Sequence, residues 1–350
     1  MISDRIVAGT ATTGNRGPRH PPGTPGPLAG RGAPAGCHPA MLAAILTVLL
    51  WALSSLASSR CARLLGGPRA NRWRLAIAVA LLAAVVHPWF GLPGDGGTIA
   101  WLLLSGLIGL GLGDLCMFAA YERIGARLTV LMTQCLAVPV AAGLEWIWLG
   151  HGLTLPELGW IALILAGTTT ALLPGSSIAR PASLRLGLWC GLGSAIGLGV
   201  SGVVTRRAFA DATAAGGFGD GLAAAYLRNL GGLAVVLGLL LAVPLLRRVS
   251  AGLDAQWQAS QAVAEPDWRR GWPWLALTTL FGPTAGVACY QWALITTQAA
   301  HVQAILATLP VVLIPLAWWS EGDRPTWTAV GGGALAVGGA IGLALKVGHG

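Results

Sequence analysis

Residues 101–119 read WLLLSGLIGLGLGDLCMFA, and residues 274–292 read WLALTTLFGPTAGVACYQW. At a single offset the two stretches share their opening tryptophan, two glycines (Gly109 over Gly282, Gly113 over Gly286) and a cysteine (Cys116 over Cys289). After a two-residue slip the correspondence continues. AVPVAAGLEWIWLGHGLTLPELGWIALILAG (137–167) answers TLPVVLIPLAWWSEGDRPTWTAVGGGALAVGG (308–339), each with a Pro-Val in an apolar run, a polar turn and a second apolar run. Further upstream, 41–63 aligns with 187–209, with Ser55 over Ser201 and Arg60 over Arg206. Self-similarity on this scale is the mark of a duplicated structural unit.

Composition says what solvent the units face. Of 350 residues, 55% are hydrophobic and 10% charged, against roughly 25% charged in soluble domains. Too few polar groups exist to cover a water-facing surface, so the solvent is largely lipid. About 30 Å of hydrocarbon calls for about 20 apolar residues per helix, and lipid offers no partners for backbone polar groups outside helices or closed barrels. Ten segments qualify or nearly so: 42–59, 74–92, 99–119, 128–148, 156–174, 184–205, 223–245, 272–293, 301–319 and 327–346. Trp73, Trp89, Trp101, Trp148, Trp272, Trp319 and Trp327 fall near segment ends, as an interfacial aromatic belt requires. The expected fold is an all-α integral membrane protein of ten transmembrane helices in two five-helix repeats, 41–174 and 184–346. Five is odd, so the second repeat enters the membrane from the opposite side. Inverted repeats of this kind are typical of alternating-access transporters.

The first forty residues differ. Seven are Pro and eight are Gly, with no apolar core, and this tail is expected to be disordered. Met41 opens the first apolar run, and a translation start there is a reading the composition favours. The connection 246–271 is polar and suits the membrane surface.

Lys and Arg outnumber Asp and Glu by 22 to 13. The arginines sit between apolar runs, which points to topology and lipid headgroups rather than nucleic acid. A single lysine, Lys346, stands against twenty-one arginines, as in a GC-rich genome. Assigned to alternating loops, 14 basic residues fall on one side and 8 on the other, which places both termini outside. The six cysteines form no C-x-x-C pair and no metal-ligand spacing. Neither a disulfide framework, a metal nor a cofactor is expected. Gly111-Leu-Gly-Asp lies inside a span with no strand before it, which excludes a nucleotide loop. His87 and His301 lie at helix ends and His151 in a turn, so the spans lack the paired acids or Ser/His couple that intramembrane hydrolysis needs. An enzyme is not expected; a lipid-handling protein, receptor or assembly subunit remains an alternative to a transporter.

Charged groups within spans carry the functional reading, because each costs roughly 2.5–3.5 kcal/mol at mid-membrane. Asp114 is one: a proton or substrate-amine site, or a buried acid paired with Arg123 or Arg127. Its repeat partner is Val287, so the duplication does not require it. In the fourth segment Arg127, Gln134 and Glu145 share a helical face, either as a cavity stripe or with Glu145 hydrated at the helix end. In the eighth, Thr284 and Gln291 share a face beside Tyr290. Gln303 opens the ninth. Arg228 either snorkels to the interface or meets an anionic substrate group, and mid-span Trp51 either packs or forms an apolar wall for substrate. Pro139 and Pro310 weaken matching helices and mark flexible, cavity-lining segments. Gly109/Gly113, Gly193/Gly197 and Gly338/Gly342 have the spacing that lets helices approach closely.

These residues also carry a resemblance. LLWALSS (49–55), YERIGARLTVLM (121–132) leading to Pro-Val at 139–140, and SEGDRPTWTAVGGGALAVGGAIGLAL (320–345) resemble the ten-helix EamA-like permeases of the drug/metabolite transporter superfamily. The resemblance covers about 42–346. It implies a secondary transporter, an exporter of amino acids, other metabolites or drugs, in the cytoplasmic membrane of a bacterium. Both termini would then be cytoplasmic, opposite to the charge count. The family pattern has Gly-Glu in the turn after helices four and nine. Glu321 keeps the acid in the second half, and Gly150-His151 departs from it in the first.

Overall fold

The computed structural model describes residues 39–93, 95–172, 181–214, 220–247, 266–321 and 326–348. The proline- and glycine-rich tail, most of the 246–271 connection and the side chain of Glu321 lie outside the described residues. Everything described is helix or short connection. α1 (Pro39–Leu65) and α2 (Gly67–Trp89) are joined by the single residue Gly66. Its φ of +84° reverses the chain at a cost only glycine escapes. α3 (Gly96–Gly106) passes through a π-helical segment, Leu107–Gly113, into α4 (Asp114–Leu144), which ends in a second π segment, Glu145–Leu149. Two apolar spans, Gly96–Tyr121 and Leu128–Leu149, meet within this continuous helical path. α5 (Leu155–Leu172), α6 (Pro181–Ala214) and α7 (Gly221–Arg247) follow. α8 (Trp268–Thr279) continues through π segment Leu280–Thr284 into α9 (Ala285–Thr296), then come α10 (Ala299–Leu306), α11 (Leu309–Glu321) and α12 (Trp327–Gly348).

Eight described helical stretches are long and apolar enough to cross a membrane, and Leu155–Ala171 is a shorter apolar helix. The path from Trp268 to Thr296 is helical but divided by its π segment and is not among the eight. Large apolar side chains stand exposed around the bundle, among them Trp89, Ile147, Leu241 and Trp327. In water that surface would be untenable; against acyl chains it is the expected exterior.

Helix packing follows the duplication. α1 packs on α8, α9 and the π segment between them, while α6 packs on α3, α4 and theirs. α2 packs on α7, and α5 on α12. Each half thus contributes its first helix to the other half's third, and the second and fifth helices pair with their own counterparts. Small residues make these contacts possible. A Cβ on Gly106 would lie 1.9 Å from the Arg228 carbonyl oxygen, and one on Gly231 would lie 2.1 Å from that of Leu103, so α3 and α7 touch backbone to backbone. Gly113 and Gly197, from two of the G-x-x-x-G pairs, stand against each other, whereas Gly338 faces open space.

Outside the spans, Asp95 caps α3: its carboxylate accepts from the Gly97 and Thr98 amides at 3.2 and 2.8 Å. The Thr98 amide, then its hydroxyl and the Gly97 amide, hold the carboxyl below the ordinary carboxylate range. A depressed pKa means stability that is full above the ordinary value and lost as pH falls through the lowered one. Asp95→Ala is expected to speed amide exchange at Gly97 and Thr98 at neutral pH. Acidification through the lowered pKa should reduce protection of these amides, taken relative to the intrinsic exchange rate at each pH, in the parent protein and not in the variant.

Candidate functional site

The two halves repeat one polar arrangement. In the second half's third helix, Thr278 of α8 meets Ser54 and Ser58 of α1, with hydroxyl contacts of 3.2 and 2.5 Å. In the first half, Ser105 of α3 meets Ser201 and Thr205 of α6: its hydroxyl donates to the Ser201 carbonyl at 2.7 Å and lies 2.8 Å from the Thr205 hydroxyl. Ser105 and Thr278 are equivalent at the offset that aligns Trp101 with Trp274. The structure therefore matches Ser201 to Ser54, one residue from the Ser55 that the aligned sequences suggest. Gly109 then lies against Ser201, and Gly282 against Ser54.

Two arginines complete the repeat. Arg74 stands seven residues after the first residue of α2, Gly67, and Arg228 seven after the first residue of α7, Gly221. Arg74 lies beside Gly282, and Arg228 beside Gly109. Here the symmetry breaks. Arg74 Nη2 binds Asp114 Oδ2 in an ion pair and also donates to Asn71 Oδ1 at 3.0 Å. At the equivalent place for Arg228 stands Val287. Arg228 Nη2 donates to Ser201 Oγ at 3.1 Å, and its guanidinium lies 5.3 Å from the Tyr290 ring centre, but Nε and Nη1 have no hydrogen-bond partner. Arg228 is 2% exposed.

These groups surround a cavity between the halves. Trp51 and Ser54 of α1, Arg74, Asp114, Thr133, Gln134 and Arg228 line it, with backbone at Gly109, Gly113, Gly282 and Pro283. Both π segments of the third helices border this space. Such bulges leave backbone carbonyls without their usual partners and recur at functional sites. Asn229 Nδ2 donates to the freed Pro283 carbonyl at 2.8 Å. Thr133 Oγ1 and Gln134 Oε1 are buried without partners.

At another place the halves are tied by end-capping. Glu145, 1% exposed, accepts from the Ala299 and Ala300 amides at 3.1 Å each, on Oε1 and Oε2. These are first-turn donors of α10, where a carboxylate also meets the positive end of the helix dipole. Arg206 Nη1 donates to the Leu294 and Ile295 carbonyls at 3.0 and 3.1 Å, at the end of α9, and its Nε is 3.7 Å from Glu145 Oε1. His301 Nε2 lies 3.4 Å from Glu157 Oε1.

Of the residues singled out in sequence, Trp51, Asp114, Gln134 and Arg228 line the cavity. Tyr290 sits behind that wall, 5.4 Å from the Trp51 ring, and its hydroxyl accepts from Gln303 Nε2 at 2.7 Å. Gln291 is buried in α9 with both amide atoms unpartnered, and neither it nor Thr284 is in the lining. Pro310 is the second residue of α11, just after the helix breaks at Ala307–Thr308; Pro139 lies inside unbroken α4.

Several expectations are corrected. Asp114 pairs with Arg74, not Arg123, whose Nη1 donates to the Ala119 carbonyl at 2.7 Å; the Arg127 side chain is outside the described residues. Arg228 does not snorkel, because α7 holds it against α3 and α6. Glu145 is neither hydrated nor in the Gln134 stripe's cavity. Its signal was indirect: Gln298, at the N-cap of α10, makes no side-chain cap, so those amides need an acceptor from elsewhere. Arg74 was missed because it opens its apolar run and reads as a loop cation.

No curated protein matches the chain. Among solved structures 29 chains match. One, described only as a crystal structure of a protein, superposes with a TM-score of 0.62 at 18% identity, over 87% of this chain and 95% of its own. At that identity the likeness concerns the fold alone. The EamA-like transporter family matches twice, over residues 38–173 and 185–345. Those limits coincide with the two halves that share the cavity, and the chain belongs to the EamA-like transporter family.

Proposed function

We propose that the protein is a secondary transporter that moves a small organic metabolite through the central cavity by alternating access, outward across the cytoplasmic membrane of a bacterium. The observation that carries this reading is the cavity itself. Charged and hydrogen-bonding side chains from both repeats converge on a space between helices, where an apolar core would be the stable alternative. Counting the shorter α5 and the α8–α9 path as spans gives ten helices, five per half, and an odd number inverts the second half. Trp51 forms an apolar wall, Gln134 a hydrogen-bonding one, and Asp114 the acid that a substrate amine or a proton would contest with Arg74. Tyr290, Gln303 and Gln291 brace the wall behind them. The break before Pro310 is a point where α10 and α11 bend relative to each other, with Pro139 as its counterpart in α4. Energy comes from a gradient or from exchange.

Counterflow in proteoliposomes tests this. With unlabelled compound inside, labelled compound outside should accumulate transiently for some member of a panel of amino acids, organic acids and small cations. Correctly folded protein that exchanges no member of a broad panel would sink the reading.

A further inference from the structure

We propose that Arg228 anchors a carboxylate of the transported molecule, which makes the substrates small organic acids or zwitterions with a free carboxylate. The inference rests on the transport reading of the cavity and specifies its ligand. It begins with the broken symmetry. Arg74 and Arg228 occupy equivalent positions, against equivalent glycines and serines. The duplication supplies Arg74 with Asp114 and supplies Arg228 with Val287. A guanidinium this deep retains its charge, and buried charges are ordinarily paired. Arg228 keeps the three N–H donors of Nε and Nη1 without acceptors. Asp114 acts on Arg228 electrostatically but is ion-paired to Arg74. The Tyr290 face offers a quadrupole, not a hydrogen-bond acceptor.

Arg228 lines the cavity, and a small side-chain movement that uncovers its buried Nε and Nη1 would present them to an acceptor there. The guanidinium fork matches a carboxylate in a bidentate manner. Two guanidinium groups and one carboxylate leave the lining with one excess positive charge, which one carboxylate neutralises. A phosphate monoester would bring close to two negative charges to a site with one uncommitted arginine. Gln134 Oε1, an acceptor without a partner, would take an N–H of the same ligand, and the Thr133 hydroxyl lies beside it in the lining.

The test uses the full-length protein in detergent and ligand pairs that differ only at the carboxylate: L-leucine and L-leucinamide, L-phenylalanine and its amide, 4-methylpentanoate and its amide, with glycerol 3-phosphate as the phosphate probe. Thermal unfolding midpoints and tryptophan fluorescence report binding without requiring transport. At least one acid should bind roughly tenfold or more tighter than its amide, the discrimination of a charged hydrogen-bonded site. Arg228→Gln should reduce that ratio to near one, and Arg228→Lys, which keeps the charge without the fork, should leave an intermediate ratio. Val287→Asp supplies the acid that the second half lacks. It should abolish the acid preference with Arg228 still present, and it covers the case in which Arg228→Gln does not fold. Equal binding of acids and amides, no binding of any acid, preference for glycerol 3-phosphate, or discrimination that survives both Arg228→Gln and Val287→Asp would overturn the proposal. Failure of the transport reading looks different: acids bind with this pattern but none undergoes counterflow. Counterflow of compounds without a carboxylate, and none of acids, would instead remove the carboxylate anchor and leave transport standing.

Discussion

Asp114→Leu lowers the thermal midpoint of the purified protein more than the double variant Arg74→Leu/Asp114→Leu does. Both side chains are nearly enclosed, 7% exposed for Arg74 and 15% for Asp114. Deleting one member of such a pair strands the other charge, at about 3–5 kcal/mol, whereas replacing both with apolar groups is often close to neutral. Arg74 cannot relieve the loss by leaving, because Asn71 holds its guanidinium and the Phe118 ring centre lies 5.2 Å away. Asp114→Asn should be nearly as harmful as Asp114→Leu, since the amide matches the shape but not the charge. A double variant no more stable than the single one would show that the pair is not the source of the effect. The same comparison in counterflow separates roles. If the double variant folds and still exchanges substrate, Asp114 is structural; if it folds and exchanges nothing, the carboxylate acts on the transported molecule or its coupling ion.

Glu145→Ala is the second large effect, and its pattern of rescue is opposite. The carboxylate accepts two backbone amides of α10 and faces Arg206. Hydrogen bonds to a charged acceptor contribute about 1.5–3 kcal/mol each, so a loss of about 3 kcal/mol is expected. Adding Arg206→Leu should not restore it, because the Ala299 and Ala300 amides would still lack an acceptor. It should worsen matters by freeing the Leu294 and Ile295 carbonyls at the end of α9. The local readout is amide exchange at Ala299 and Ala300, which should accelerate in Glu145→Ala and only partly in Glu145→Gln, which keeps one acceptor oxygen. Unchanged exchange at those two amides would remove Glu145 from this role.

The contrast between these acids shows what a sequence of this kind can reveal. Asp114 stood out because an acid in an apolar run is conspicuous whatever its partner. Its partner did not stand out, because Arg74 opens the second apolar segment and is indistinguishable there from a loop arginine. Glu145 had the reverse fate: close to Trp146, Trp148 and Gly150, it resembles any hydrated helix end. Gln134 and Trp51 line the cavity. Tyr290 and Gln303 bond to each other behind its wall. One-dimensional spacing gives the face of a helix but not the neighbour that covers it.

Membership in a lipid-embedded, duplicated helical fold was determined by the sequence alone. Hydrocarbon admits few architectures, long apolar runs satisfy that constraint segment by segment, and a repeat survives as aligned Trp, Gly and Cys. Which charges meet was decided only by tertiary structure. α2 and α7 cross beside the third helices with glycines in contact, and that crossing brings Arg74 to Asp114, 40 residues away, and leaves Arg228 facing the cavity with donors unfilled. Ion pairing depends on distances of a few ångström between helices, and no local pattern of residues encodes them.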